Sequence, residues 1–101
     1  MIDTNEQIRA AHILVDTREL AEQIIVWLTE APHEHLQQAF AELAARNSTC
    51  STFKQGGDLG FFKRGQMHKT FEAIAFNLAP MQFNRIPVQT PFGWHVICRI
   101  Q

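Results

Sequence analysis

Two histidines interrupt apolar stretches at opposite ends of the chain and are the first candidates for chemistry. His12 lies within IRAAHILV and His95 within WHVICRI. A histidine on an apolar strand face is most often a buried side chain with satisfied hydrogen bonds. If the first and last strands are neighbours, however, the two rings can lie side by side and fix each other's tautomers. The pattern therefore predicts either two separate core histidines or one histidine pair.

Cys50 is the third candidate, because it follows Ser48 and Thr49 in a segment rich in turn-forming residues. Paired with a histidine it could act as a nucleophile, and with His12 and His95 it could bind a metal. No protease signature surrounds it, and no ligand pair has the close spacing of a metal site. Cys98 lies inside a strand and is expected to be core filler. We expect both cysteines to be thiols, not a disulfide.

Four apolar residues lie beside glycines and turns, where a solvent-accessible apolar cup could form: Leu59, Met67, Phe71 and Phe92. Each alone is more typical of a core. His68 is expected to be exposed at the start of a helix. These side chains indicate a site with two histidines and a thiol, but they do not specify a reaction.

The elements that must position these residues follow from hydrophobic periodicity. We expect strands over 8–15, 58–62, 86–89 and 94–100, and helices over 17–29, 34–46 and 70–78. The first helix is expected to begin with a capping box in which Asp16 or Thr17 caps and Glu19 reaches back. The order β-α-α-β-α-β-β predicts an α+β fold, and the flanking prolines place the third strand at a sheet edge.

Composition limits the classes of protein. The chain has 101 residues, of which 46% are hydrophobic and 19% charged, which is typical of one globular domain over 1–101. We expect residues 1–7 to be a loose N-terminal extension. A net charge of −1 argues against nucleic-acid binding, and no apolar run reaches the roughly 20 residues that span a bilayer. With no secretory signal pattern, we expect a cytoplasmic protein or a domain excised from a longer or exported one.

The central segment FAELAARNSTCSTFKQGGDLGFFKRGQMHKTFEAIAFNL resembles the signature of the parvulin family of peptidyl-prolyl cis-trans isomerases. AHILV near the start and VQTPFGWHVI near the end match the same family, so the resemblance covers roughly 9–100. It implies a four-stranded antiparallel sheet with surrounding helices. It also implies isomerisation of X–Pro bonds in peptides and unfolded proteins, assisting folding, or a catalytically weak peptide-binding chaperone module of a larger folding factor.

The resemblance assigns residues to roles. The residues implied to be catalytic are His12, Cys50, Thr90 and His95. Those implied to form the proline pocket are Leu59, Met67, Phe71 and Phe92. No cofactor or metal is implied. The implied partners are proline-containing peptides and unfolded or nascent proteins, without nucleic acid or membrane insertion, and the domain is expected to be a monomer.

The sequence departs from the family pattern at three places. The family often has Gly-Glu-Ile-Ser before the third strand, whereas this chain has PMQFNR over 80–85. Trp94 stands where tyrosine is usual. Only Asp16 and Thr17 separate the first strand from the first helix, and a phosphate-directed subclass carries a basic loop there. The resemblance is therefore to the small, phosphorylation-independent kind.

Overall fold

The structure, a computed structural model, describes residues 6–51 and 55–101. One sheet contains four strands: β1 (Gln7–Val15), β2 (Asp58–Lys63), β3 (Val88–Thr90) and β4 (Gly93–Arg99). Their order across the sheet is β2-β1-β4-β3, and every neighbouring pair is antiparallel. The α+β class and the four-stranded antiparallel sheet are confirmed, and the first and last strands are neighbours, the condition on which a histidine pair depended.

Three α-helices surround the sheet: α1 (Arg18–Glu30), α2 (Leu36–Asn47) and α3 (Lys69–Asn77). A short 3₁₀ turn over His33–His35 precedes α2. The hydroxyl oxygen of Thr17 caps α1 by accepting the Leu20 amide at 3.2 Å. The capping box is wrong in its second half, because Glu19 lies one position too early to reach back to this cap.

The sheet separates two hydrophobic cores. On the α1–α2 face, helices α1 and α2 pack on alternate residues of β1 and β4; its central members are Ile13, Val15, Ile24, Leu28, Phe40 and Val96. On the α3 face, the single helix α3 packs on the opposite alternation; the buried members are Ile8, Ala10, Phe62, Phe71, Ala75, Phe76, Val88 and Ile97. The strand periodicity of two therefore sorts the side chains as predicted.

The two glycines before β2 bring that strand against the middle of β1. Gly57 has φ +79°, and its carbonyl accepts the His12 amide at 2.9 Å. A Cβ at Gly57 would overlap the carbonyl oxygen of His12. Glycine is required here both for its backbone angle and for this close approach, so the position couples β2 directly to a predicted site residue.

The segment before β3 differs from the prediction. β3 begins at Val88, two residues later than expected, and Ile86 is exposed outside the strand. Asn84 pairs with β4 in its place: its side chain accepts the Ile97 amide at 2.6 Å and donates to the His95 carbonyl at 3.3 Å. Pro87 has no amide hydrogen to extend the ladder, so a side-chain amide completes the hydrogen bonding of β4.

Two further expectations concern the chain as a whole. Residues 1–5 of the predicted N-terminal extension lie outside the described residues, and Gln7 is already part of β1. In the described part of the chain, no helix combines the length and the apolar character needed to cross a membrane.

Candidate active site

The histidine pair forms because β1 and β4 are neighbours in a particular register. His12 lies opposite Ile97, and His95 lies opposite Leu14, so the two histidines are diagonal neighbours on the α3 face. Their rings are nearly parallel, 20° apart with centroids separated by 5.2 Å. The two Nδ1 atoms are 3.0 Å apart and share a hydrogen bond. Of the two readings that the sequence left open, the structure shows the histidine pair.

Thr90 extends this pair into a three-residue hydrogen-bonded chain. Its hydroxyl oxygen lies 2.6 Å from Nε2 of His95 and accepts the Phe92 amide at 3.2 Å. We assign the protons by hydrogen-bond satisfaction. The Thr90 hydroxyl donates to His95, whose Nδ1–H donates to His12, so that His12 carries its proton on Nε2. The opposite direction leaves the Thr90 hydroxyl hydrogen without an acceptor among the described residues.

Both imidazoles are neutral at physiological pH. Burial lowers the pKa of His12 to about 4, and the neighbouring His95 adds to the effect. Burial lowers the pKa of His95 also to about 4, with a smaller contribution from His68. Phe71, a residue of α3, covers the histidine pair. Its ring lies edge-on to both imidazoles, at centroid distances of 5.6 and 5.4 Å. The site therefore offers polar atoms without net charge.

A cavity of about 130 Å³ opens beside the histidine pair. Its lining is mainly apolar and consists of His12, Leu59, Met67, His68, Phe71, Thr90, Phe92 and His95. The four residues predicted to form an apolar cup therefore meet in one cavity, with His12, Thr90 and His95 at its wall. An apolar cavity of about 150 Å³ accommodates benzene, so this one suits a small hydrocarbon ring.

Cys50 is the predicted site residue that does not line this cavity. The loop that carries it is bonded to β1, since Ser48 Oγ accepts the amides of Leu14 and Cys50 at 3.1 and 3.3 Å. Leu14 is two residues from His12 along β1, which is about 7 Å. The Cys50 backbone is thus held against the strand that carries His12, and Cys50 is half-buried.

Cys98 has the structural role predicted for it. It is buried in the core of the α1–α2 face, where burial raises the pKa of its thiol to about 11. No disulfide joins it to Cys50. Within 6–51 and 55–101, no group of three or more His, Cys, Asp or Glu side chains could hold a metal ion.

Sequence analysis did not identify two residues of the site. His68 was expected only to be exposed, yet it also lines the cavity. Asn84 was read as part of a departure from the family pattern, yet it holds the backbone of β4 at His95. The role of Asn84 depends on the register of β4, and that of His68 depends on where α3 begins. Neither feature can be recognised from the residue type.

The fold and site define a small α+β domain with an uncharged histidine pair at the wall of an apolar cavity. The family model for the rotamase, PPIC-type peptidyl-prolyl isomerase domain matches residues 12–101. The chain belongs to this family, which confirms the resemblance to parvulins.

Similar proteins and solved structures support this family membership. A putative peptidyl-prolyl cis-trans isomerase of Helicobacter pylori is 38% identical over 95 residues, covering 91% of this chain and 32% of the relative. The peptidyl-prolyl cis-trans isomerase pin1 of Rhizopus delemar is 36% identical over 110 residues, covering 93% and 73%. A structure from a study of two SurA-like chaperones of Campylobacter jejuni superposes with a TM-score of 0.90 and 38% identity, covering 94% of this chain and 38% of that one.

The chain spans about a third of the length of the Helicobacter relative and about three quarters of the Rhizopus one. The shared region is therefore the domain described here.

Proposed function

We propose that this domain catalyses cis-trans isomerisation of X–Pro bonds in peptides and unfolded proteins. The observation that carries the proposal is the apolar cavity beside the neutral histidine pair. Its size suits a prolyl ring, and its wall brings polar but uncharged atoms close to the amide that such a ring would carry. Membership in a family of peptidyl-prolyl isomerases supports the same reaction.

The chemistry requires no bond to be broken. Amide resonance gives the C–N bond partial double-bond character and a rotation barrier of about 18–20 kcal/mol, so X–Pro bonds isomerise in roughly 10–100 s without catalysis. Each lowering of the barrier by about 1.4 kcal/mol accelerates rotation tenfold. Because the twisted amide is less polar than the planar one, a dry cavity stabilises the twisted state relative to the planar state.

Each part of the site has a role in this proposal. Leu59, Met67, Phe71 and Phe92 hold the prolyl ring and fix one side of the bond. Thr90 and His95 hold His12 in the tautomer that carries a proton on Nε2. That nitrogen is buried and has no hydrogen-bond partner among the described residues. Its N–H is therefore a hydrogen-bond donor that is available to a substrate at the edge of the site.

Cys50 acts electrostatically in this account, and not as a covalent nucleophile. Relatives that the sequence resembles carry either Cys or Asp here, and a carboxylate would be a poor replacement for a nucleophilic thiolate. Cys50→Asp should therefore retain substantial activity. Complete loss of activity in a folded Cys50→Asp variant would favour covalent catalysis.

The proposal is tested by NMR exchange spectroscopy on a short peptide with alanine before proline. The wild-type domain should produce exchange cross-peaks between the cis and trans forms. Two exposed aromatic residues provide matched variants: Phe92, 72% exposed at the cavity, and Phe61, 57% exposed on β2. Phe92→Ala should lower kcat/KM several-fold and Phe61→Ala should not. Equal effects, or no exchange with wild type, would refute the proposal.

We also propose that substrates need no phosphate. The connection between β1 and α1 is only Asp16 and Thr17, which leaves no basic loop there to bind one. Peptides with serine and with phosphoserine before proline should have kcat/KM values within about threefold. A much larger value for the phosphorylated peptide would contradict this.

A peptide-holding role is the second candidate. It is supported by the similarity to a structure from a study of SurA-like chaperones. In that case the peptide would bind in the cavity without acceleration of its isomerisation. The same NMR sample separates the two roles, because binding shifts protein resonances whether or not exchange cross-peaks appear.

A further inference from the structure

His68 combines two features that the activity alone does not explain. It is the N-cap of α3, where Nδ1 of its ring accepts the Thr70 amide at 3.2 Å. It also belongs to the lining of the cavity while remaining exposed to solvent. Histidine is an uncommon N-cap, since Ser, Thr, Asp and Asn supply the same acceptor from shorter side chains.

The cap determines which nitrogen of His68 can donate. A neutral ring that accepts a hydrogen bond at Nδ1 carries its proton on Nε2. The two ring nitrogens point in divergent directions, so this N–H is directed away from the helix terminus that Nδ1 satisfies. The cap thus fixes both the position and the tautomer of the ring at the mouth of the cavity.

Binding of a prolyl ring creates a demand for such a donor. The carbonyl groups on either side of the ring lose water when the ring enters the cavity, and an unpaired buried carbonyl is costly. Thr90, His95 and Nδ1 of His12 already bond to one another, and the Phe92 amide bonds to Thr90. Two side-chain donors remain among the lining residues, the buried Nε2–H of His12 and the Nε2–H of His68, and of the two His68 is the one exposed to solvent.

We propose that His68 is a substrate-binding residue whose Nε2–H donates a hydrogen bond to a backbone carbonyl next to the bound proline. The inference deepens the proposed function and rests on peptide binding in the same cavity. When the acceptor is the carbonyl of the proline itself, which stays with the held ring while the X–Pro bond turns, the bond is made alike to planar and twisted amides. It therefore contributes to affinity and not to kcat.

The test compares two histidines at helix N-caps. His68→Asn retains a capping oxygen and removes the ring Nε2–H. His68→Asp also retains a capping oxygen but has no side-chain donor, so it excludes a substitute bond from the asparagine amide. His35→Asn is the matched control, because His35 is the N-cap of α2, makes no side-chain capping bond and does not line the cavity. The Kd of an uncharged, end-blocked peptide with alanine before proline is measured by NMR titration, and kcat by exchange spectroscopy.

We expect His68→Asn to raise Kd by about two- to tenfold, the value of one neutral hydrogen bond, with kcat unchanged and Tm no lower than in wild type, because asparagine is a preferred N-cap. His35→Asn should leave Kd as in wild type. In the wild-type protein the His68 Nε2 resonance should shift during the titration. An unchanged Kd in His68→Asn, or an Nε2 resonance that does not move, would overturn the inference. Absent turnover with intact binding would reject the proposed function alone.

Discussion

The two faces of the sheet are covered to different extents, and the difference separates stability from function. On the α1–α2 face, two helices of 13 and 12 residues cover β1 and β4 and enclose a hydrophobic core. On the α3 face, one helix of 9 residues covers the same strands. On that face the buried polar residues His12, Thr90 and His95 lie beside the first turn of the helix.

A short helix thus leaves room for the cavity. At about 1.5 Å per residue, α3 is roughly 13 Å long, and its first turn ends over the histidine pair at Phe71. The α1–α2 face should therefore govern unfolding with little influence on turnover, and the α3 face should govern turnover. Three measurements test this contrast, and a fourth tests the backbone that leads into β3.

The largest expected effect is on stability and comes from the α1–α2 face. Ile24 is fully buried in α1, so Ile24→Ala should lower the free energy of unfolding by about 2–5 kcal/mol. At a temperature where the variant is folded, kcat/KM should stay within about twofold of wild type. Urea denaturation and the exchange assay measure the two quantities. A tenfold fall in kcat/KM with the variant folded would break the contrast.

The second effect is a loss of stability in mild acid that originates on the α3 face. His12 and His95 have pKa values of about 4 in the fold against 6.5 ordinarily. Between pH 6.5 and 4 the unfolded chain therefore binds protons that the native chain does not, and stability falls as pH falls. One pKa unit corresponds to about 1.4 kcal/mol, so each of the two histidines should contribute a decrease of roughly 3 kcal/mol to the free energy of unfolding.

Denaturation curves at several pH values measure this decrease. The pKa of Asp58 is lowered by its hydrogen-bonded ion pair with Arg9, and that contribution is lost mainly at lower pH. His12→Asn should flatten the slope between pH 6.5 and 4, whereas His33→Asn, at an exposed residue, should leave it unchanged. Equal slopes in wild type and His12→Asn would contradict the assignment.

The third effect is on turnover and compares two buried phenylalanines of α3. Phe71 contacts both imidazoles, whereas Phe76 packs against Phe62 with centroids 5.9 Å apart and does not line the cavity. Phe71→Leu removes the ring contacts with both imidazoles and with Phe62, about 0.5–1.5 kcal/mol each. Because Phe71 is also a wall of the cavity, kcat/KM should fall about tenfold. Phe76→Leu should have a similar cost in stability but leave kcat/KM within twofold. The reverse ranking would place the substrate elsewhere.

The smallest effect concerns the backbone before β3. Met81 has φ +64°, in the left-handed region that costs a residue with a Cβ about 1–2 kcal/mol. Met81→Gly should therefore be more stable than Met81→Ala by about 1 kcal/mol, although both lose the same packing beyond Cβ. Thermal denaturation of the two variants measures the difference. A more stable alanine variant would show that the angle carries no strain.

The sequence was sufficient where a local pattern determines the outcome. The period of two in β1 and β4 correctly separated the faces. It left open whether His12 and His95 are separate or paired, and the structure shows them sharing a hydrogen bond. Family motifs selected the four cavity residues, which the apolar pattern alone would have assigned equally to a core. The roles of these residues in catalysis stay predictions.

The sequence was insufficient where a tertiary contact replaces a local one. β3 was predicted over 86–89 because its residues favour a strand, but Pro87 cannot extend the ladder, and the Asn84 side chain bonds β4 instead. His68 was missed because its place at the cavity depends on where α3 begins. Both depend on which backbone groups are left unpaired, which periodicity does not record.

The most direct test of the account is one NMR sample of the wild-type domain with an alanine-proline peptide. We predict cis–trans exchange cross-peaks together with intermolecular NOEs from the prolyl ring protons to the Met67 methyl group and the Phe71 ring. Two results would contradict catalysis of prolyl isomerisation in this cavity. One is NOEs from the prolyl ring to another surface, such as the exposed side chain of Ile86; the other is exchange no faster than in the free peptide.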